Sequence, residues 1–315
     1  MIEQSKERFR GRDFVTLQDF THQEIEEMAD AAIGLKRQLA GGIPHPILQG
    51  KTIGLIFTKS STRTRVSFEV GIYQLGGYGL FLSDRDIQIG RGEVVQDTAR
   101  VLSRMVDGIM IRTSSHQDVL DLAHHSTIPV INGLTDYLHP TQVLADLMTI
   151  REHKGSWRGL KLAYIGDGNN VAHSLLNGAT KMGMHITIAS PDGYKPAPEI
   201  VAQAQANAAA SGGSAVIVTE PAEAVAGADI VYTDVWASMG QETEAVKRQK
   251  VFAGYQVNAA LMGRAHPNAL VMHCLPAHRG EEITEDVIEG PQSVVFDQAE
   301  NRLHAHKAIM ALLIH

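Results

Sequence analysis

The chain has 315 residues, 44% of them hydrophobic and 20% charged, with a formal net charge of -7, which suits two soluble domains with separate cores and excludes a general nucleic-acid binder. Its single cysteine, Cys274, excludes an intrachain disulfide and a cysteine-built zinc site. The absence of a membrane-length apolar run excludes a spanning helix, and the polar stretch Met1–Arg12 is no signal peptide, so the expected compartment is the cytoplasm.

Thr21-His22-Gln23-Glu24 fits a capping box, with Ile25, Met28, Ala32 and Leu35 behind it, and predicts a helix over 22–38. Gly41, Gly42 and Pro44 then turn the chain towards Ile53–Phe57, a run that is apolar on both faces and reads as a buried strand. Ser60-Ser61-Thr62-Arg63-Thr64-Arg65 follows, and then Val66, Phe68, Val70, Ile72 and Leu75 at helical spacing. A strand that passes through hydroxyl residues into a helix start makes an anion site, because the first-turn N–H groups have no helical partner and the dipole favours negative charge. Arg63 and Arg65 add planar forks that match phosphate oxygens, which helix capping alone does not explain.

Gly76-Gly77 stops this helix, 78–82 is a short strand, and 83–93 reads as a mobile polar loop. A helix is expected over 94–106, a strand over 108–111 ending at Arg112, a helix over 117–125, a strand over 129–131, and a helix over 140–154 with Pro140 in its first turn. Gly155 and Gly159 flank the expected domain boundary. Beyond it come strands over 161–165, 186–189, 215–218, 230–233, 271–274 and 294–296, helices over 169–182, 198–210 and 222–226, and a terminal helix over 300–314. This alternation predicts an α/β protein with two doubly wound parallel-sheet domains and the active site in the cleft between them. The domains are expected at 1–153 and 154–299, with 300–315 packing back on the first.

In an open parallel sheet, ligands lie beyond the carboxyl ends of the strands. Four polar clusters of the first half fall there: Ser61–Arg65, Arg112, Asn132–Asp136 and His139–Gln142. Each has an ordinary reading on its own, as a cap, a solvated strand end or a surface histidine; their convergence is what asks for an anion. In the second half, Gly166-Asp167-Gly168 is similar to a dinucleotide loop without its third glycine, and Asp192 is a loose candidate for the ribose acid. A nicotinamide-dependent dehydrogenase is therefore one alternative. The carboxamides Asn169-Asn170 suit the carboxylate or ammonium of an α-amino acid. His304 and His306, two apart on a helix, do not face each other and give no metal pair.

Ser61-Thr62-Arg63-Thr64-Arg65 resembles the carbamoyl-phosphate signature of the aspartate and ornithine carbamoyltransferases. Later stretches resemble that family in order: His139-Pro140-Thr141-Gln142, Asp234-Val-Trp-Ala-Ser238-Met239-Gly240, His273-Cys274-Leu275-Pro276 and Glu300-Asn301-Arg302. The resemblance implies that Ser61, Thr62, Arg63, Thr64, Arg112 and Arg302 bind carbamoyl phosphate, that Arg112 and His139 with Thr64 polarise its carbonyl oxygen, and that Gln142 holds its amide. It implies that Gln88 reaches the phosphate from a neighbouring subunit, and hence a homotrimer with shared sites. Asn170, Asp234, Ser238 and Met239 are implied to bind ornithine. Cys274 is implied to meet the attacking amine, while the Leu275 carbonyl takes a hydrogen bond from the carbamoyl group.

Arg112, His139, Asp234 and Cys274 are then the catalytic groups. The implied reaction moves the carbamoyl group of carbamoyl phosphate to the δ-amine of L-ornithine, giving citrulline and phosphate in arginine metabolism. It implies no cofactor and no metal, and partners that are small molecules rather than nucleic acid or membrane. Ser238-Met239-Gly240 offers no cation for a second carboxylate, which disfavours aspartate. Putrescine carbamoyltransferase shares most of the shell and is the nearer alternative. Thr141 stands where many ornithine enzymes have cysteine and Thr58 where glutamate is commoner, but neither side chain is an expected ligand.

Overall fold

Each half of the chain forms an open parallel sheet that winds outward from a central strand and then returns to its other side. The computed structural model describes residues 2–83, 92–237 and 242–315. Gln88, Ser238, Met239 and most of the expected polar loop lie outside the described residues. Two compact units emerge, Met1–Met148 with Glu300–His315, and Thr149–Ala299. The division falls inside the helix Pro140–Lys154, whose C-terminal end carries the expected boundary at residue 153.

In the first unit, β1 (Thr52–Phe57), β2 (Tyr78–Ser83), β3 (Gly108–Arg112) and β4 (Val130–Leu134) are all parallel in the order β2-β1-β3-β4. β1 is buried from Ile53 through Phe57, so its uninterrupted apolar run reflects burial on both faces. Gly76 and Gly77 reverse the chain between helix Thr62–Gln74 and β2: Gly76 has φ +82°, and a Cβ on Gly77 would lie 2.8 Å from the Lys51 carbonyl oxygen. The capping box forms, with Thr21 accepting from the Glu24 amide at 3.3 Å and Glu24 accepting from the Thr21 amide at 2.8 Å.

Two elements differ from expectation here. The helix expected over 94–106 stops at Leu102, since Arg104 and Met105 close turns instead. β4 runs on to Leu134 through the polar Asn132, whose side-chain amide donates to the Val15 carbonyl at 3.0 Å and so tolerates full burial. Asn132 thus ties β4 to the backbone at Val15.

In the second unit, β5 (Lys161–Ile165), β6 (His185–Ala189), β7 (Ser214–Val218), β8 (Ile230–Thr233) and β9 (Leu270–His273) are parallel in the order β7-β6-β5-β8-β9. Ile165, Val231, Trp236, Phe252, Val257 and Val271 share one core cluster. The expected strand over 294–296 is wrong. Val294 makes one backbone bond to Val271 at 3.0 Å, and the helix Val295–Leu313 begins at the next residue, with Val295 buried and Phe296 62% exposed. Three apolar residues in a row satisfy either period, and local pattern cannot separate them. The helix Ala245–Phe252 also went unread in the sequence.

The order of winding places one switch point between the ends of β1 and β3, and another between the ends of β5 and β8. Crevices in such sheets open there.

Candidate active site

At the first switch point, β1 leads into Ser61, which caps helix Thr62–Gln74 by accepting from the Thr64 amide at 3.2 Å. That cap leaves the other first-turn N–H groups at the positive end of the helix dipole. Thr64 is fully buried, and its hydroxyl accepts from Arg302 at 2.7 Å and from Arg112, at the end of β3, at 3.5 Å. A hydroxyl with two guanidinium donors must direct its own proton elsewhere. Ser67, one turn further along, donates to the Arg63 carbonyl and meets His306 Nδ1 at 2.8 Å, tying the terminal helix to the cap.

His139 is buried, and burial together with the Arg302, Arg112, His306 and Arg63 charges holds its imidazole well below the ordinary 6.5. A neutral ring keeps one N–H to donate and adds no charge to a crowded cationic site. Thr141 sits 3.5 Å from its Nδ1, a contact that nothing in the sequence pattern indicates. Gln142 is fully buried and donates through Nε2 to Asp146 at 2.9 Å. Asp146 accepts from this nitrogen, which fixes the amide orientation and leaves Gln142 Oε1 a buried acceptor without a partner. The i, i+4 spacing of Gln142 and Asp146 is a signal that sequence reading missed.

The structure thus gathers Ser61, Thr64, Arg112 and Arg302, with Arg63 on the helix that Ser61 caps and His139 within reach of the Arg302, Arg112 and Arg63 charges; Gln142 lies on the helix Pro140–Lys154, and Thr62 is exposed. Arg65 turns away. It pairs with Glu69 at 2.9 Å and lies over the Phe81 ring at 3.6 Å, so it is not one of the forks that the sequence suggested.

At the second switch point, Asp234 follows β8, 6% exposed. Its Oδ1 accepts from the Val235 amide at 2.8 Å and from Cys274 Sγ at 3.0 Å, and its Oδ2 accepts from Asn169 Nδ2 at 2.8 Å. Asn169 caps the helix Asn170–Lys181, its Oδ1 accepting from the Val171 and Ala172 amides, which forces its nitrogen towards Asp234. Asn170 is half-buried as the first residue of that helix; the contact to Asp234 belongs to its neighbour.

Cys274 and Leu275 follow β9. Leu275 has φ +55°, a left-handed conformation that costs a branched residue about 1–2 kcal/mol. Its amide donates to His273 Nδ1 at 2.8 Å, and the buried His273 donates through Nε2 to Glu282 at 3.0 Å. Asp234, His273 and Cys274 lie close enough together to suggest a metal set, but both ring nitrogens of His273 are already engaged. His304 and His306 have separate partners, Glu300 and Ser67.

The dinucleotide reading of Gly166-Asp167-Gly168 fails on geometry. A Cβ on Gly168 would lie 2.2 Å from Pro196 N, so the glycine makes room for this chain's own backbone. Asp192, the loose ribose acid, pairs with Lys195 at 2.7 Å on the surface.

Residues 12–152 match the carbamoyl-P binding domain of the aspartate/ornithine carbamoyltransferases, and residues 158–313 match the Asp/Orn binding domain. The chain belongs to this family. It is 61% identical to the ornithine carbamoyltransferase of Symbiobacterium thermophilum over 97% of this chain and 98% of that one. It is 55% identical to the anabolic ornithine carbamoyltransferase of Pyrococcus furiosus over 96% of each. The solved structure of ornithine carbamoyltransferase from Pyrococcus furiosus superimposes with a TM-score of 0.95 at 55% identity, covering 97% of this chain and 98% of that one. Thr64 and Arg112 fall in the carbamoyl-P match and Asp234 with its partners in the Asp/Orn match, while Arg302 reaches Thr64 from the terminal helix, which is matched with the Asp/Orn domain but belongs to the first compact unit.

Proposed function

We infer that this protein transfers the carbamoyl group of carbamoyl phosphate to the δ-amine of L-ornithine, producing L-citrulline and phosphate. The observation that carries this reading is the Thr64 hydroxyl between Arg112 and Arg302, beside a histidine held neutral, in the domain that matches carbamoyl-P binding. The amine attacks the carbamoyl carbon, a C–N bond forms, and the C–O bond to phosphate breaks. Arg112, His139 and Thr64 stabilise the oxyanion, Gln142 Oε1 accepts from the carbamoyl NH₂, and Ser61, Thr62, Arg63 and Arg302 hold the phosphate. The Leu275 carbonyl takes a second hydrogen bond from the carbamoyl group, and Gln88 comes from a neighbouring subunit.

An alkyl ammonium has a pKa of about 10, so the site must select or make the neutral amine. Asp234 and Cys274 orient it, Asn170 with Ser238 and Met239 grips the amino-acid end, and the departing phosphate takes the proton. Exposed Val66 and Tyr73 on helix Thr62–Gln74, and Tyr78 and Leu80 on the edge strand β2, support self-association, and the homotrimer is the form that the family resemblance implies. The anabolic relative supports a role in arginine biosynthesis, and a cytoplasmic location accords with the lack, among the described residues, of a helix long and apolar enough to cross a membrane.

The test is citrulline formation with ornithine, set beside carbamoylation of putrescine and aspartate. Preference for putrescine would replace this reading with the diamine enzyme. For the shared site, mixing Gln88→Ala with Arg63→Ala subunits should restore activity, and no recovery despite subunit exchange would mean that one chain builds the whole site.

A further inference from the structure

Arg248 lies on helix Ala245–Phe252, outside every motif singled out in the sequence, yet it is 7% exposed. Its Nη1 donates to Asp167 Oδ2 at 2.6 Å and to the Trp236 carbonyl at 2.8 Å, and its Nε donates to Glu244 at 3.2 Å. The guanidinium also lies over the Tyr194 ring at 4.9 Å. Asp167 stands two residues before Asn169 and Trp236 two residues after Asp234, so one side chain ties together the loops that follow β5 and β8. Those loops carry the two groups that meet at 2.8 Å, Asn169 Nδ2 and Asp234 Oδ2.

We propose that Arg248 is a positioning residue for the amine-binding carboxylate, setting the spacing of Asn169 and Asp234 by clamping Asp167 and the Trp236 carbonyl. This rests on the reading of Asp234 as an ornithine contact. A buried ion pair is weak support for stability against an apolar replacement, but a fork that holds a carboxylate and a backbone carbonyl at once fixes geometry. Burial raises the Asp167 carboxyl, with Arg248 opposing it, so the carboxylate depends on the guanidinium beside it. Lysine supplies charge without the fork and cannot hold both loops.

The experiment compares wild type, Arg248→Lys, Asp167→Asn and the double variant, at a temperature where thermal melts show all four folded. Ornithine KM should rise about tenfold or more in each single variant, with a smaller fall in kcat, a change of about 1.4 kcal/mol in ornithine's apparent affinity. The Kd of the free enzyme for carbamoyl phosphate should stay within about twofold of wild type, and the double variant should be no worse than the poorer single one. An ornithine KM within about twofold of wild type in the folded variants overturns the proposal and leaves the pair as scaffolding only. Should Arg248→Lys not fold, Asp167→Asn decides alone, since it keeps the side-chain shape and removes the charge. A wild type that makes no citrulline brings down the functional reading, and this inference with it; wild-type turnover with unaltered variants brings down only the clamp.

Discussion

The Thr64 cluster and the Asp234 cluster sit at equivalent places in two similar sheets, but they distribute charge in opposite ways. Around Thr64, Arg112 and Arg302 converge on a hydroxyl with Arg63 on the same helix, and His139 is held neutral by burial first and by those charges next. Around Asp234, a carboxylate takes its bonds from a thiol, an amide and a carboxamide, while the neighbouring Asp167 is matched by Arg248. The first cluster concentrates positive charge; the second pairs Asp167 with Arg248 and surrounds the Asp234 carboxylate with neutral donors. The same topology thus sets guanidiniums around a hydroxyl at one switch point and a carboxylate among neutral donors at the other.

If that contrast is right, deletions in the two clusters separate the two substrates. The largest effect is expected for Arg63→Ala, which should cost roughly 2–4 kcal/mol in kcat/KM for carbamoyl phosphate if its charge-assisted bonds tighten in the transition state. Lysine should rescue it only in part. Inorganic phosphate should raise the Tm of wild type and not of Arg63→Ala, because a ligand that binds only the folded state stabilises it. Near wild-type turnover in Arg63→Ala would end the description of the first cluster as a clamp.

Asp234→Asn comes next. It keeps shape and removes the charge that draws an ammonium, so ornithine KM should rise and kcat fall, while carbamoyl-phosphate binding to the free enzyme changes little. An ornithine KM equal to wild type would remove Asp234 from the substrate site. Cys274→Ser keeps a hydrogen-bonding group 3.0 Å from Asp234 and should retain partial activity with a shifted pH profile. Mass spectrometry of enzyme quenched in turnover is the check: a carbamoylated Cys274 that forms and decays at the turnover rate would establish a two-step route.

The contrast also marks where the sequence was informative. β1, the Ser61 cap and the helix Pro140–Lys154 were legible because burial on both faces, capping chemistry and a first-turn proline each leave a local pattern. The two parallel sheets followed from the alternation of elements. What local pattern could not show was which side chains meet: Arg65 and Arg63 read alike, yet Arg65 belongs to Glu69 and Phe81. Asn169 rather than Asn170 reaches Asp234 because the cap uses its oxygen. Arg248 meets Asp167 from far along the chain, and no spacing rule links them.

The smallest expected effect concerns acid stability, and it probes the cationic cluster without substrate. His139 and His306 are both buried and held well below 6.5, by burial first and by Arg302 next. In the unfolded chain each imidazole titrates near 6.5. Above that pH neither state binds the proton and the depression contributes nothing. As pH falls below it, the unfolded chain takes up protons that the folded chain refuses, so stability drops until the folded pKa is reached. Each unit of depression is worth about 1.4 kcal/mol, or about 3–6 °C of Tm for a domain of 150–250 residues. Wild type should therefore lose more Tm between about pH 7 and 5 than His139→Asn does, measured by thermal melts in matched ionic strength. Inorganic phosphate should shrink that difference, because an anion among the guanidiniums offsets the charges that depress His139. Parallel slopes for the two proteins would mean that His139 takes up its proton in the fold at the same pH as in the unfolded chain, and the first cluster would then gain a further cation as the pH falls from about 7 to 5.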